Sequence, residues 1–136
     1  TYIYKIYISR LPSPILDQTH ARALPCLDIE RMREGAKLLE GTHDFTAFSS
    51  AHRAVRSTVR TIYSIDLTNN DNFIEIRITG NGFLYNMVRI IAGTLVYVGN
   101  GKRTLDDIKE ALRTGDRKKA GKTFPAHGLY LYSVVY

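Results

Sequence analysis

Tyr2, Tyr4, Ile6 and Ile8 alternate with Ile3, Lys5 and Tyr7, a period of two that predicts a β-strand. Leu11-Pro12-Ser13-Pro14 then stops sheet pairing, because a proline has no amide hydrogen to give. From Asp28 the period changes: Ile29, Met32, Ala36 and Leu39 recur at helical steps, with Asp28 placed to cap and Gly41 to terminate. Two further β patterns, Thr58 to Leu67 and Phe73 to Thr79, flank Asn69-Asn70-Asp71-Asn72, whose turn chemistry predicts a hairpin. Phe83 to Val98 reads as a helix with Leu84, Met87, Val88, Ile91, Leu95 and Val98 on one broad face. Thr104 and Asp107 make a capping-box signature for a short helix ending at Gly115. Leu129 to Tyr136 reads as a last strand. The order strand, helix, hairpin, two helices, strand predicts an α+β fold, with helices packed on a mostly antiparallel sheet.

The whole of residues 1–136 reads as a single domain, long enough to bury a core. The first strand pattern begins at the start of the chain and a second one closes it, so a fragment of a longer protein is expected. An apolar fraction of 44% with 24% charged residues fits a globular domain rather than a disordered tail. The longest apolar run, Ile90 to Val98, contains Gly93 and is too short for a membrane span. The first residues carry no signal-peptide pattern. The single Cys26 excludes an internal disulfide framework, fits a cytoplasmic setting, and is expected to be a buried small apolar residue.

Charge changes the picture more. A net charge of +6 favours an anionic partner, nucleic acid being the commonest. Arg53, Arg56 and Arg60 lie near His52 and several serines, a mixture suited to phosphate oxygens. Arg117, Lys118, Lys119 and Lys122 form a second cluster, and Tyr2 and Tyr4 could stack on a base. Each feature reads equally as a solvated basic loop or a core-facing strand. His20, His43, His52 and His127 show no metal-ligand spacing, and neither a phosphate-binding glycine loop nor a serine nucleophile motif is present. Arg89 stands out, because it lies within an otherwise apolar helix. A guanidinium there reaches water or needs a carboxylate or several acceptors.

That helix also carries a family likeness. Gly82-Phe83-Leu84-Tyr85-Asn86-Met87-Val88-Arg89, followed by Gly93, resembles the Phe-Leu-x-x-Met-Val-Arg segment of the tRNA pseudouridine synthase A family. Tyr2-x-Tyr4, Leu27-Asp28, Leu39-x-Gly41-x-x-Asp44-Phe45-x-x-Phe48, Arg60, Asp116-Arg117-x-x-Ala120 and Gly128-Leu129-Tyr130-Leu131 match other segments of that family in order. The likeness runs over essentially the whole chain, with Thr1 and Ile90-Ile91 as departures.

The resemblance implies the C-terminal half of a catalytic domain that isomerises uridine to pseudouridine in the anticodon arm of tRNA, without metal or organic cofactor, as a homodimer. Tyr2 would stack on the target uracil, Arg89 would pair with the catalytic aspartate, and Leu129 would line the uracil pocket. Arg53, Arg56, Arg60, Arg117, Lys118, Lys119 and Lys122 would hold tRNA backbone, while Phe45 and Phe48 belong to the core. The family's aspartate lies in an Arg-Thr-Asp-x-Gly-x-His motif of the N-terminal half. None of Asp17, Asp28, Asp44, Asp66, Asp71, Asp106, Asp107 and Asp116 has that context, so this chain is expected to be inactive alone. The alternative is a non-catalytic basic RNA-binding module of the same build.

Overall fold

The computed structural model describes residues 1–50 and 57–134. Its centre is β1 (Tyr2–Ile8), which pairs antiparallel along its length with β5 (Phe73–Gly80). The other edge of β1 is shared. Ile6–Ile8 pairs parallel with β2 (Ala21–Ala23), and Tyr2–Tyr4 pairs antiparallel with β6 (Leu129–Leu131). Beyond β5 lie β4 (Val59–Asn70) and β3 (Gly41–Asp44), giving six strands in the order β2-β1-β5-β4-β3 with β6 beside β1. All but one of the pairings are antiparallel, so the expected α+β class holds.

Among the described residues three α-helices pack on this sheet: α1 (Ile29–Leu39), α2 (Met87–Gly99) and α3 (Leu105–Thr114). Tyr4 and Ile6 of β1, Ile74, Ile76 and Ile78 of β5, and Ile65 and Leu67 of β4 join the helices in one core. These positions are two apart on each strand and so share a face. The helices meet at Gly35 of α1, where an added Cβ would lie 3.0 Å from Ile108 of α3 and 3.1 Å from Leu95 of α2. Almost every residue of α2 is buried, which explains its near-continuous apolar sequence. Phe45 and Phe48 are fully buried with ring centroids 6.1 Å apart, as expected of core residues.

Several boundaries differ from the sequence pattern, each for a local reason. The strands β2 and β3 carry no signal of their own: Ala-Arg-Ala has little β propensity, and β3 opens on Gly41, which takes a φ of 99° after α1 has ended. The apolar run from Phe83 does not begin as helix, because Asn86 adopts a left-handed backbone with φ 61° and helical geometry starts only at Met87. The last strand spans three residues, after which Tyr132 and Ser133 amides turn to the carbonyl of Thr1. Tyr7 is buried although it faces away from the helices, because the loop after β1 folds over it and its hydroxyl donates to Asp17 at 2.5 Å. Cys26 is corrected outright. It is exposed, in a turn with φ 73° between β2 and α1 that points the side chain outward. Among the described residues no helix is long and apolar enough to cross a membrane, and no group of His, Cys, Asp or Glu is placed to hold a metal.

Candidate active site

Arg89 organises the most chemically distinctive part of the molecule. It sits in the first turn of α2, half-buried between Val88 and Ile90, which belong to the core. The segment after α3 lies across this helix at very close range. A Cβ on Gly93 would fall 1.9 Å from the carbonyl oxygen of Lys122, so only glycine admits the approach. Thr94 secures the crossing: its hydroxyl donates to the Ile90 carbonyl at 2.7 Å and accepts from the Gly121 amide at 2.8 Å. The crossing brings Phe124 beside Arg89. The Phe124 amide donates to the Arg89 carbonyl at 3.2 Å, and Arg89 Nε donates to the Phe124 carbonyl at 2.7 Å.

Arg89 Nη1 donates to Asn86 Oδ1 at 3.1 Å, and Asn86 Nδ2 donates to Ser50 Oγ at 3.0 Å. Nη2 has no hydrogen bond to any described residue, and no described carboxylate lies within ion-pair distance of Arg89. Every fully buried side-chain polar atom among the described residues has a partner, so Nη2 reaches the surface. A guanidinium in this state presents an outward edge suited to a carboxylate from outside these residues.

Tyr4 links this arginine to the sheet. Its ring is fully buried, and its hydroxyl donates to the Pro125 carbonyl at 2.5 Å, one residue beyond the carbonyl that Arg89 engages. Burial pushes the Tyr4 hydroxyl well above the ordinary tyrosine range, with the charge of Arg89 offsetting part of the rise, so it remains a protonated donor. The next turn brings Gly128 onto Tyr4, where a Cβ would lie 3.0 Å from the ring. Leu129 then enters β6 directly opposite Tyr4. Tyr2 stands two residues before Tyr4 and so on the same face, half-buried, its ring edge-on to Phe83 at 5.0 Å. A cleft of about 600 Å³ opens beside Tyr2, lined also by Phe83, Tyr63, Asn81 and Leu131. Tyr2, Arg89 and Leu129 thus sit on three elements knitted together through Tyr4, Phe83 and the Phe124–Pro125 carbonyls.

The expected phosphate-binding residues differ in their engagement. Arg53 and Arg56 lie outside the described residues. Arg60 is half-buried, its Nη1 donating to the Ser57 and Val59 carbonyls at 2.8 Å each. Lys118, Lys119 and Lys122 are exposed. Arg117 is turned inward: it donates to the Gly121 carbonyl at 2.6 Å and to the Thr123 hydroxyl at 3.3 Å, and burial, helped by nearby Arg103, lowers its affinity for its proton. Its visible work is to fold the segment that crosses α2. Sequence reading passed over Tyr4 as a core or stacking residue, and missed Asn86. The only signal for Asn86 was an amide between an aromatic and an apolar run.

The fold and this site define an α+β domain built around an arginine with no charge partner among its described residues. A family model for tRNA pseudouridine synthase matches residues 36–136. The tRNA pseudouridine synthase A of Bacillus velezensis is 49% identical over 135 residues, covering 99% of this chain and 55% of that protein. The proteins of that name from a Geobacillus species (54% over 110 residues, 81% and 44% covered) and from Bacillus subtilis (47% over 135 residues, 99% and 55%) are similar in the same way. The chain belongs to the tRNA pseudouridine synthase family. It spans about half the length of the curated relatives it matches.

Proposed function

We propose that this chain supplies the arginine, the uracil-stacking tyrosine and part of the tRNA grip of an enzyme that isomerises uridine to pseudouridine in tRNA, with the nucleophilic aspartate contributed from outside these residues. The observation that carries the reading is Arg89, held at Nε and Nη1 with an outward Nη2 and no carboxylate within reach among the described residues. A carboxylate paired with it would stay ionised, and so nucleophilic, because the adjacent positive charge lowers its proton affinity.

In this reading the uridine leaves its stack, as enzymes acting on bases require. Tyr2 packs against the uracil and Leu129 closes the pocket. The aspartate attacks the nucleotide and the bond from ribose to N1 breaks; the ring is then rejoined through C5 as the aspartate is released, C5 losing a proton and N1 taking one up. No metal or organic cofactor takes part. Lys118, Lys119 and Lys122 are exposed and would meet phosphates, and Arg53, Arg56 and Arg60 would add further backbone contacts. The anticodon arm as substrate and a homodimeric enzyme in the cytoplasm belong to the same proposal.

Tritium release from C5-labelled uridine in unmodified tRNA tests it. The chain alone is expected to release none, and release is expected to appear when the N-terminal half of a relative is added. Turnover by the chain alone would place the nucleophile among its own aspartates and overturn the division of labour.

A further inference from the structure

The residue at the start of α2 uses its side chain in an unusual way. Asparagine at a helix N-cap ordinarily accepts from an amide of the first turn, and Asn86 does not. Its backbone is left-handed, a conformation that asparagine tolerates better than most residues. Its amide instead bridges Arg89 Nη1 and Ser50 Oγ. A guanidinium can only donate, so the amide oxygen must face it and the amide nitrogen must face Ser50. We propose that Asn86 is a positioning residue for Arg89, setting the plane in which the guanidinium meets its carboxylate; this rests on the function proposed above.

The geometry gives the reason. One bond, from Nε to the Phe124 carbonyl, leaves the guanidinium plane able to pivot about the Nε–H···O line as the aliphatic stem shifts. A second anchor at Nη1 stops the pivoting and aims Nη2 outward. The anchor is itself fixed, because Ser50 also donates its backbone amide to the Tyr85 carbonyl at 3.1 Å. Ser50, Tyr85 and Asn86 therefore form one braced turn, and a carboxylate approaching Nη2 meets a preset plane rather than a mobile one.

Two variants separate this from a structural role. Asn86→Gly keeps the left-handed backbone without cost and removes the amide. Asn86→Asp keeps the shape and the acceptor but places a competing negative charge on Arg89. In the isolated chain, proton–nitrogen NMR of Arg89 is expected to show Nε–H exchanging with water at least about tenfold faster in Asn86→Gly, and not in Asn86→Asp. In the chain combined with the N-terminal half of a relative, both variants are expected to lower kcat by about tenfold to a hundredfold with KM for tRNA unchanged. An Arg89 signal unaltered in Asn86→Gly, or kcat and KM altered together with a loss of stability, would overturn the proposal. Absence of turnover in the unaltered mixture would strike the proposed function instead, and the NMR comparison would still decide the role of Asn86.

Discussion

The second and third helices begin by opposite rules. The start of α3 is saturated: Thr104 accepts from the Asp107 amide at 3.1 Å and Asp107 accepts from the Thr104 amide at 2.9 Å, a reciprocal box. The start of α2 has a residue equally able to cap, yet no side-chain cap bond forms, and the amide is committed to Arg89 and Ser50. One helix spends its polar groups on its own stability and the other spends them on orienting a charge. Positions where a local stability rule is set aside without a packing reason are where function is expected to reside.

The two arginines that hold the segment crossing α2 sharpen the contrast. Arg103 donates to the Ala120, Lys118 and Lys102 carbonyls, and Arg117 to Gly121 and Thr123. Both terminal nitrogens of each are taken up by the surrounding segment, through carbonyls and, for Arg117, the Thr123 hydroxyl, as a structural arginine should be. Arg89 alone of the three keeps an outward Nη2 with no described partner.

The largest expected effect comes from breaking the support of the α2 site. Gly93→Ala would drive a Cβ into the Lys122 carbonyl and is expected to cost about 3 kcal/mol or more, read by urea unfolding of the chain. Next, Arg89→Lys keeps the charge but loses the planar fork, and is expected to lower kcat about a hundredfold in the combined enzyme with little change in stability. Thr104→Ala acts at the other helix start and is expected to cost about 1 kcal/mol of stability with activity unchanged.

The contribution of Asp107 to the same helix start should depend on pH. The Thr104 amide is the main cause that holds the Asp107 carboxyl below the usual range. A group with a lowered folded value stabilises the fold above its unfolded value, about 3.9, and loses that contribution as pH falls through the folded value. The Asp107→Asn penalty should therefore be full near neutral pH and shrink below about pH 4, checked by unfolding at both. Smallest of all, Asn86→Gly is expected to cost about 0.5 kcal/mol, because the freed groups reach water and glycine suits the backbone. Stability loss should follow Thr104, and activity loss Asn86.

Where periodicity was strong, sequence and structure agree: Asp28 caps α1, the Asn69–Asn72 stretch turns the hairpin, and Thr104 with Asp107 opens α3. Short elements with no propensity of their own were not legible. Ala21–Ala23 becomes a strand only because β1 offers a free edge, a tertiary effect. The first turn of α2 was misread because its apolar spacing suits a helix while the backbone at Asn86 does not. Cys26 was misjudged because residue type predicts burial only on average, and a left-handed turn overrides it. Within the site, Arg89 was visible as a charge in an apolar helix. Its anchors were not, since Phe124 and Ser50 are 35 and 39 residues away in sequence, and the bonds are to a backbone carbonyl and through an amide.

A double-mutant cycle on the association of this chain with the N-terminal half of the Bacillus subtilis relative measures the pairing of Arg89 most directly. Association would be followed by calorimetry with Arg89→Met on one side and, on the other, asparagine in place of the aspartate proposed above as the nucleophile. A coupling of about 1.5 kcal/mol or more is expected if the outward edge of Arg89 receives that carboxylate. Losses that add to within about 0.5 kcal/mol would mean that Arg89 and the aspartate do not pair, and that the arginine is oriented for something else.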